Sequence, residues 1–441
     1  MEYFSSIFFI VILSLGIGLF TINAKKIVRN IKLGQPINRF DQSKKRWATM
    51  ALVALGQSKM IKRPVAGILH IIVYIGFVVI NIEVLEICID GIFGTHRVFS
   101  FLGGLYSLLI GSFELLAVLV LIAVFIFFIR RNTIKLERFN HPDLVGRPKN
   151  DANIILYFEV VLMSLFLLMN AADYHLQLLN FHHYTVAGSF PISQFIEPIF
   201  NGMAENKVMM LERAFWWLHI SGILIFLNYL YYSKHLHILL AFPNTYFSDL
   251  NAKGKFENID AVTREVKLML DPNADPFSVT PPSESDVPSK FGASDVTDLN
   301  WVQLLNAYTC TECGRCTSVC PANQTGKKLS PRKIMMDTRD RLEEVSQLLD
   351  TNNGTFVSDG KSLLNDYITP EELWACTSCN ACVEECPVAI SPLAIIMEMR
   401  QYLVMEQSAA PQSLNAMMSN IENNGAPWQY NQQDRLNWKD E

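Results

Sequence analysis

Eight of the nine cysteines fall into two runs of identical spacing: Cys310, Cys313, Cys316 and Cys320 before Pro321, and Cys376, Cys379, Cys382 and Cys386 before Pro387. Each run reads C-x2-C-x2-C-x3-C-P. Three thiolates at two-residue intervals on a turn can hold three irons of one cubane, while the fourth, set apart by an extra residue and a proline, reaches the neighbouring cluster. The spacing therefore assigns Cys310, Cys313, Cys316 and Cys386 to one 4Fe-4S cluster, and Cys376, Cys379, Cys382 and Cys320 to a second. Structural zinc fits less well, because it takes four ligands per ion from paired Cys-x2-Cys knuckles. The ninth cysteine, Cys88, stands in an apolar stretch and reads as a small packing residue.

Histidine is the other residue type with ligand chemistry. A haem iron inside a helical bundle is held by imidazoles from facing helices. His70 lies near one end of an apolar stretch, and a later stretch carries His219 near one end and His235 and His237 near the other. If that later stretch is a continuous helix, the step from His219 to His237 is about five whole turns, and His235 points about 160° away. His237 is then the partner expected for His70, with His235 as the alternative and His219 as a candidate for a second haem. Glu83, Glu114 and Glu159 also fall in apolar stretches, where a carboxyl serves either as a proton carrier or as the partner of a neighbouring helix. His175, His182 and His183 read as residues of a solvated loop.

These residues need elements to position them. Half of the 441 residues are hydrophobic and only 18% are charged, which places the chain among membrane proteins. The apolar excess lies before about residue 242. Five stretches meet the length of about 20 residues needed to cross a bilayer: roughly 4–23, 65–90, 104–129, 153–173 and 213–240. The segment 24–63 holds eleven Lys and Arg and the segment after the third stretch six, against Arg97, Lys207 and Arg213 on the other side. That bias puts the N-terminus outside and the cysteines in the cytoplasm, in an inner membrane. The first stretch is expected to be a retained helix, since its positive charges follow the apolar run. A net charge of -5 carries no basic footprint for nucleic acid.

Past the membrane half, Ile259, Val262, Val266, Met269 and Leu270 have helical spacing and either lie along the membrane surface or cover the cluster region. Pro272, Pro276, Pro281, Pro282 and Pro288 then mark a linker, and helical pattern resumes from Asp298. Each cysteine run is followed by Ser-Pro opening a helix: Ser330-Pro331 before 332–349, and Ser391-Pro392 before 393–405. The 55 residues between the runs exceed what a compact ferredoxin hairpin needs. The expected architecture is all-α, with a five-helix membrane domain at 1–242, a juxtamembrane segment and linker at 243–298, an α-helical dicluster domain at 299–410 and a tail at 411–441.

The stretch Cys310-Thr-Glu-Cys-Gly-Arg-Cys-Thr-Ser-Val-Cys-Pro, continuing through Thr325-Gly326-Lys327 and Ser330-Pro331-Arg332, resembles the dicluster subunits of heterodisulfide-reductase-like oxidoreductases. Trp374-Ala-Cys-Thr-Ser-Cys-Asn-Ala-Cys-Val-Glu-Glu-Cys-Pro resembles their second motif. The membrane half resembles the five-helix cytochrome b subunit of respiratory nitrate reductase. Ala54-Leu55-Gly56-Gln57 and Arg63-Pro64-Val65-Ala66-Gly67 leading into His70 resemble fused members related to electron-transfer-flavoprotein:menaquinone oxidoreductases. The resemblance implies haem b, a quinone (menaquinone) and an electron transfer flavoprotein as possible donor. It departs at two places. The cytochrome family carries two histidines on its second helix, where this chain has His70 and then Ile80. Fused relatives continue into a domain with Cys-Cys-Gly motifs, whereas this sequence stops at Glu441 after a tail, Ser419 to Trp438, that resembles the segment preceding it. The resemblance thus implies a separate cysteine-rich iron-sulfur subunit; the aromatics Trp428, Tyr430 and Trp438 of this polar tail read as its interface anchors, the alternative being a tail folded back onto its own cluster domain. The function expected is a membrane electron-transfer subunit of a quinone-linked oxidoreductase, against a membrane-anchored redox sensor or assembly module.

Overall fold

The computed structural model describes residues 2–256, 258–272, 290–429 and 431–440. Pro276, Pro281, Pro282 and Pro288 of the expected linker, and Tyr430, lie outside the described residues. Among the described residues five helices are long and apolar enough to cross a membrane: Phe4–Ile31, Pro64–Phe93, Gly104–Thr133, Arg147–Leu178 and Glu205–Tyr232, of 28 to 32 residues. Helical elements make up nearly all of the rest. The chain is a multi-pass membrane protein whose bundle is followed by a helical region carrying the cysteines.

The helices exceed the apolar windows that announce them, and the overhangs have causes. The first runs on to Ile31 because its end is docked: Asn30 is wholly buried and donates to Tyr308 Oη at 2.8 Å, while Arg29 reaches Asp350 at 2.5 Å and Ser346 Oγ at 2.7 Å. The fourth extends to Leu178 because the polar residues of its last turns, Asn170 and Asp173, are paired with Arg97. Neighbouring helices approach closely at glycines. A Cβ on Gly91 would lie 2.6 Å from Phe9, and one on Gly76 2.6 Å from Val120. Phe9, Ile80, Phe113, Phe166, Trp216 and Ile220 form the bundle core.

The fifth helix departs from expectation. Instead of continuing to about residue 240, it ends at Tyr229, and single turns at Leu230–Tyr232 and Lys234–Leu236 lead to a separate helix, His237–Tyr246. Side chains take over the backbone donors there: Ser233 is extended and its Oγ accepts from His235 N at 3.1 Å, and Asp151 Oδ2 accepts from Lys234 N at 3.1 Å. His219 and His237 therefore do not share one helix face.

Trp301–Thr309, Pro331–Thr351 and Pro392–Met405 are the main helices of the cysteine region, the last two starting where Ser-Pro predicts them, with Ser330 Oγ and Ser391 Oγ each accepting from a backbone N–H at 3.3 Å. Their core, including Leu304, Ile334, Val345 and Ile396, is continuous with Ile27, Leu230 and Leu236 of the bundle. The amphipathic stretch forms helix Asp260–Leu270 and leaves Met269 and Leu270 exposed, so they do not cover the cluster region. Asn30→Ala should leave the buried Tyr308 hydroxyl one donor short and cost about 1–3 kcal/mol, read as a lower thermal midpoint of the detergent-solubilised protein with its cysteine region still folded.

Candidate redox sites

The internal repeat extends to single backbone angles. Two and four residues after the first cysteine of each run the chain turns left-handed, at Glu312 (φ 53°) and Gly314 (φ 72°), and at Ser378 (φ 55°) and Asn380 (φ 60°). Left-handed residues in such a loop can turn backbone N–H groups toward one side, a concavity suited to an anion. At Gly314 the glycine is required twice over, since a Cβ would meet Arg332 Nη1 at 2.5 Å and the Arg138 carbonyl at 3.0 Å.

A small cavity is lined by Cys310, Cys313 and Cys316 together with Cys382 and Cys386 of the other run. Cys320 in turn lies within electrostatic range of Cys376 and Cys382. The chain thus brings Cys386 to the first three cysteines of the other run, and Cys320 near Cys376 and Cys382. Burial pushes the Cys310 and Cys382 thiols up to about 12, so the metal-free thiols are neutral and cluster loading must release their protons. Among the described residues no three His, Cys, Asp or Glu side chains converge as a single-ion site. Cys379 is exposed, whereas Cys310 and Cys386 are buried and Cys313 and Cys316 partly so, so solvent reaches the second run at Cys379.

The Cys310 loop is clamped to the bundle. Arg315 is buried and donates to the Lys59 carbonyl at 3.2 Å, and Arg63 donates to Ser318 Oγ at 3.2 Å. Arg332, fully buried, pairs with Asp143 and donates to the Arg138 carbonyl at 2.6 Å, which ties the segment after the third span to the same loop. Glu312 pairs with Lys234 and, at 2.8 Å, with Arg339. Burial alone would raise the Glu312 carboxyl, but these two cations overcome it and hold it below the usual carboxylate range.

These observations meet the comparisons with known proteins at the cysteines. Residues 309–390 match the family described as 4Fe-4S dicluster domain. The chain carries two 4Fe-4S clusters on eight cysteines. Over 99% of its length it is 30% identical to the probable iron-sulfur-binding oxidoreductase FadF of Bacillus subtilis, and 26% identical to the EtfAB:quinone oxidoreductase of Syntrophomonas wolfei. It spans only 61% and 59% of those two relatives. Over 24% of its length, and 53% of the relative's, it is 31% identical to one of the subunits of the ferredoxin/F(420)H(2)-dependent CoB-CoM heterodisulfide reductase of Methanosarcina acetivorans. No solved structure matches it.

The histidines divide. The rings of His70 and His237 lie 6.4 Å apart, centroid to centroid, although the helix argument that paired them fails at the break after Tyr229. His235 packs against His237 at 5.4 Å and against Phe226 at 5.4 Å. His219 is buried, its Nδ1 bonded to the Leu162 carbonyl at 3.0 Å and its ring beside Phe166, with no histidine opposite among the described residues. His175 is buried with Nδ1 2.5 Å from Glu197 and so is not a loop residue, whereas His182 and His183 are exposed. Cys88 is partly buried against the bundle core.

The carboxyls divide as well. Glu114 Oε2 accepts from Ile192 N at 2.9 Å and Ser193 N at 3.1 Å, and Oε1 from Asn170 Nδ2 at 3.3 Å, a saturated set that caps the start of Ser193–Ile196. Glu159 is half-buried on the fourth span. Glu83 is buried with Oε2 unpaired. Sequence reasoning missed Lys234, Asp151, Glu312, Arg332 and Arg97. The signal for Arg97 was an arginine between two apolar stretches that both carry acids. Cys386→Ser should damage the cluster of Cys310, Cys313 and Cys316 and spare that of Cys376; electron paramagnetic resonance of the reduced protein reads which signal is lost, and loss confined to the Cys376 set defeats the crossed assignment.

Proposed function

We propose that the protein is a membrane electron-transfer subunit that relays electrons between a soluble redox partner and a quinone, with Cys310, Cys313, Cys316 and Cys386 holding one cluster, Cys376, Cys379, Cys382 and Cys320 the other, and His70 and His237 a b-type haem. The clusters and the haem supply one-electron carriers when bound. The observation that carries this reading is that the Cys310 loop and the turn bearing His237 are tied by one residue: Lys234 pairs with Glu312 through its ammonium and accepts from His237 Nδ1 at 3.0 Å through its carbonyl.

The histidine pair fits a metal between its rings. Imidazoles are common ligands of a buried haem iron, and the two rings of this pair, 6.4 Å apart centroid to centroid, would be the residues to hold it. His237 uses Nδ1 for the Lys234 carbonyl, which leaves Nε2 with a lone pair, and His70 Nδ1 is buried without a protein partner. Among the described residues His219 has no histidine opposite it, and the resemblance puts Ile80 where a second histidine would stand, so one haem is the proposal.

The exposed Cys379 makes the Cys376 set the face for a soluble donor, and the relative named EtfAB:quinone oxidoreductase supports an electron transfer flavoprotein in that role. Similarity to a heterodisulfide reductase supports a cysteine-rich iron-sulfur partner, and Trp428 and Trp438, both exposed, offer aromatic anchors for it. Positive charge on the loops beside the cysteine region supports a cytoplasmic placement for it, in an inner membrane. The alternative, a redox sensor or assembly module, needs no haem, so a reduced-minus-oxidised spectrum without a haem b band would favour it.

His70→Ala and His237→Ala should each abolish the same haem absorbance while His235→Ala retains it; full absorbance in His237→Ala would move the ligand to His235 or defeat the pairing. Deleting residues 412–441 should leave both clusters intact and remove the co-purifying iron-sulfur subunit, whereas loss of the clusters would show that the tail supports its own domain.

A further inference from the structure

At the end of the bundle far from the cysteines lies a second polar centre. It surrounds a cavity of about 30 Å³, where a water needs about 10–15 Å³ of such space and two to four polar partners. The second span contributes Glu83, Glu86 and Asp90, which are spaced i, i+3, i+7 and so form one stripe along about 10 Å of helix. The stripe runs from the outer loop inward and stops at Glu83. The next residue on that side, Ile80, is buried in the apolar core with Phe166 and Ile220.

Among the described residues, all but one of the carboxyls around this cavity have their donors. Asp90 accepts from Thr95 Oγ1 at 2.5 Å and Arg97 N at 2.7 Å. Glu86 accepts from Phe99 N at 2.8 Å and Tyr106 Oη at 3.0 Å. From the fourth span Asp173 accepts from Arg97 Nε at 2.5 Å and Gln177 at 2.9 Å, with His96 Nε2 3.4 Å away. From the fifth, Glu212 accepts from Tyr184 Oη at 2.8 Å and pairs with Arg213. The third span faces Glu83 with Glu114, whose bonds are all made. Glu83 is 3% exposed, lines the cavity, and its Oε2 has no partner. Of the carboxyls lining this cavity, which is large enough for water, the unpaired one at the inner end of the acid stripe is the one that can gain and lose a proton without dismantling an ion pair.

We propose that Glu83 is a proton-transfer residue that connects the apolar interior of the bundle to the outer face through water in this cavity. The proposal rests on the quinone-linked relay above. A quinone that takes two electrons from the soluble partner takes two protons. For each proton delivered, the O–H bond of the Glu83 carboxyl breaks, the O–H bond of the quinol forms, and the carboxylate regains a proton from cavity water in exchange with the outer solvent; quinol oxidation runs the same steps backwards.

The experiment uses the full chain with its partner, reconstituted in liposomes. Dithionite on the cysteine side is the reductant and a short-chain menaquinone analogue the acceptor, for Glu83→Gln, Glu83→Asp and the unaltered protein. Glu83→Gln should keep cluster and haem reduction but lower quinone turnover by about tenfold or more, and Glu83→Asp should restore most of it. Electrochemically driven infrared difference spectra should show a carboxylic-acid C=O band that shifts in D2O and is missing in Glu83→Gln. Turnover of Glu83→Gln within about twofold of the unaltered protein, or an infrared band unchanged by the substitution, overturns the proposal. If Glu83→Gln does not fold, absence of any D2O-sensitive carboxyl band in the unaltered protein does so instead. Failure of dithionite to reduce a haem in the unaltered protein would sink the relay reading and not this one, since the infrared band is driven by the electrode.

Discussion

Lys234 is the residue through which the two halves of the molecule are held in register. Its backbone N–H is taken by Asp151 at the start of the fourth span, its carbonyl holds His237, and its ammonium sits between the Pro148 carbonyl and Glu312. A buried ammonium is tolerable only with such partners, and removing one would leave an unpaired charge behind. The fifth helix has to end at Tyr229 for these bonds to form, since a continued helix would have spent the backbone groups on itself. What looks like a defect in a membrane span is therefore the joint that sets histidine and cysteine loop at a fixed separation.

The sequence announced the cysteine chemistry, the helical class and the number of spans, because each depends on short-range pattern: ligand spacing, Ser-Pro starts and apolar length. It also paired His70 with His237, though by a route that the structure rejects. The five-turn count assumed one helix through Ser233, whereas it is the turn interrupting that helix that brings the two rings within 6.4 Å of each other. Glu83, Glu114 and Glu159 looked alike in sequence. They differ only in which distant donors reach them, and the backbone of Ile192 and Ser193 that saturates Glu114 is nearly eighty residues away. Long-range polar pairing of this kind leaves no periodic trace. The same holds for Arg332 with Asp143 and for Asn30 with Tyr308.

The two ends of the bundle are built on different principles. At the cysteine end, cations reach carbonyls and single acids across helix boundaries, and the result fixes the Cys310 loop to the bundle. At the far end, acids outnumber the arginines that hold them, and one acid is left over. Ile80 and His219 lie between the two, in the apolar middle where a second haem would need a second histidine and where the chain offers packing instead.

The docking of Asn30, Arg29 and Ile27 of the first span onto Tyr308, Asp350 and the dicluster core has a kinetic meaning. Redox proteins that carry a cofactor domain on a tether must wait for that domain to swing between donor and acceptor, so their throughput follows linker length and solvent viscosity. Here the cysteine region shares a core with the helices beneath it and has no swing to make. In the proposed relay the hop inside that region would then be clocked by a fixed distance, and the diffusive waits would be those of the quinone and of a partner arriving at the exposed Cys379.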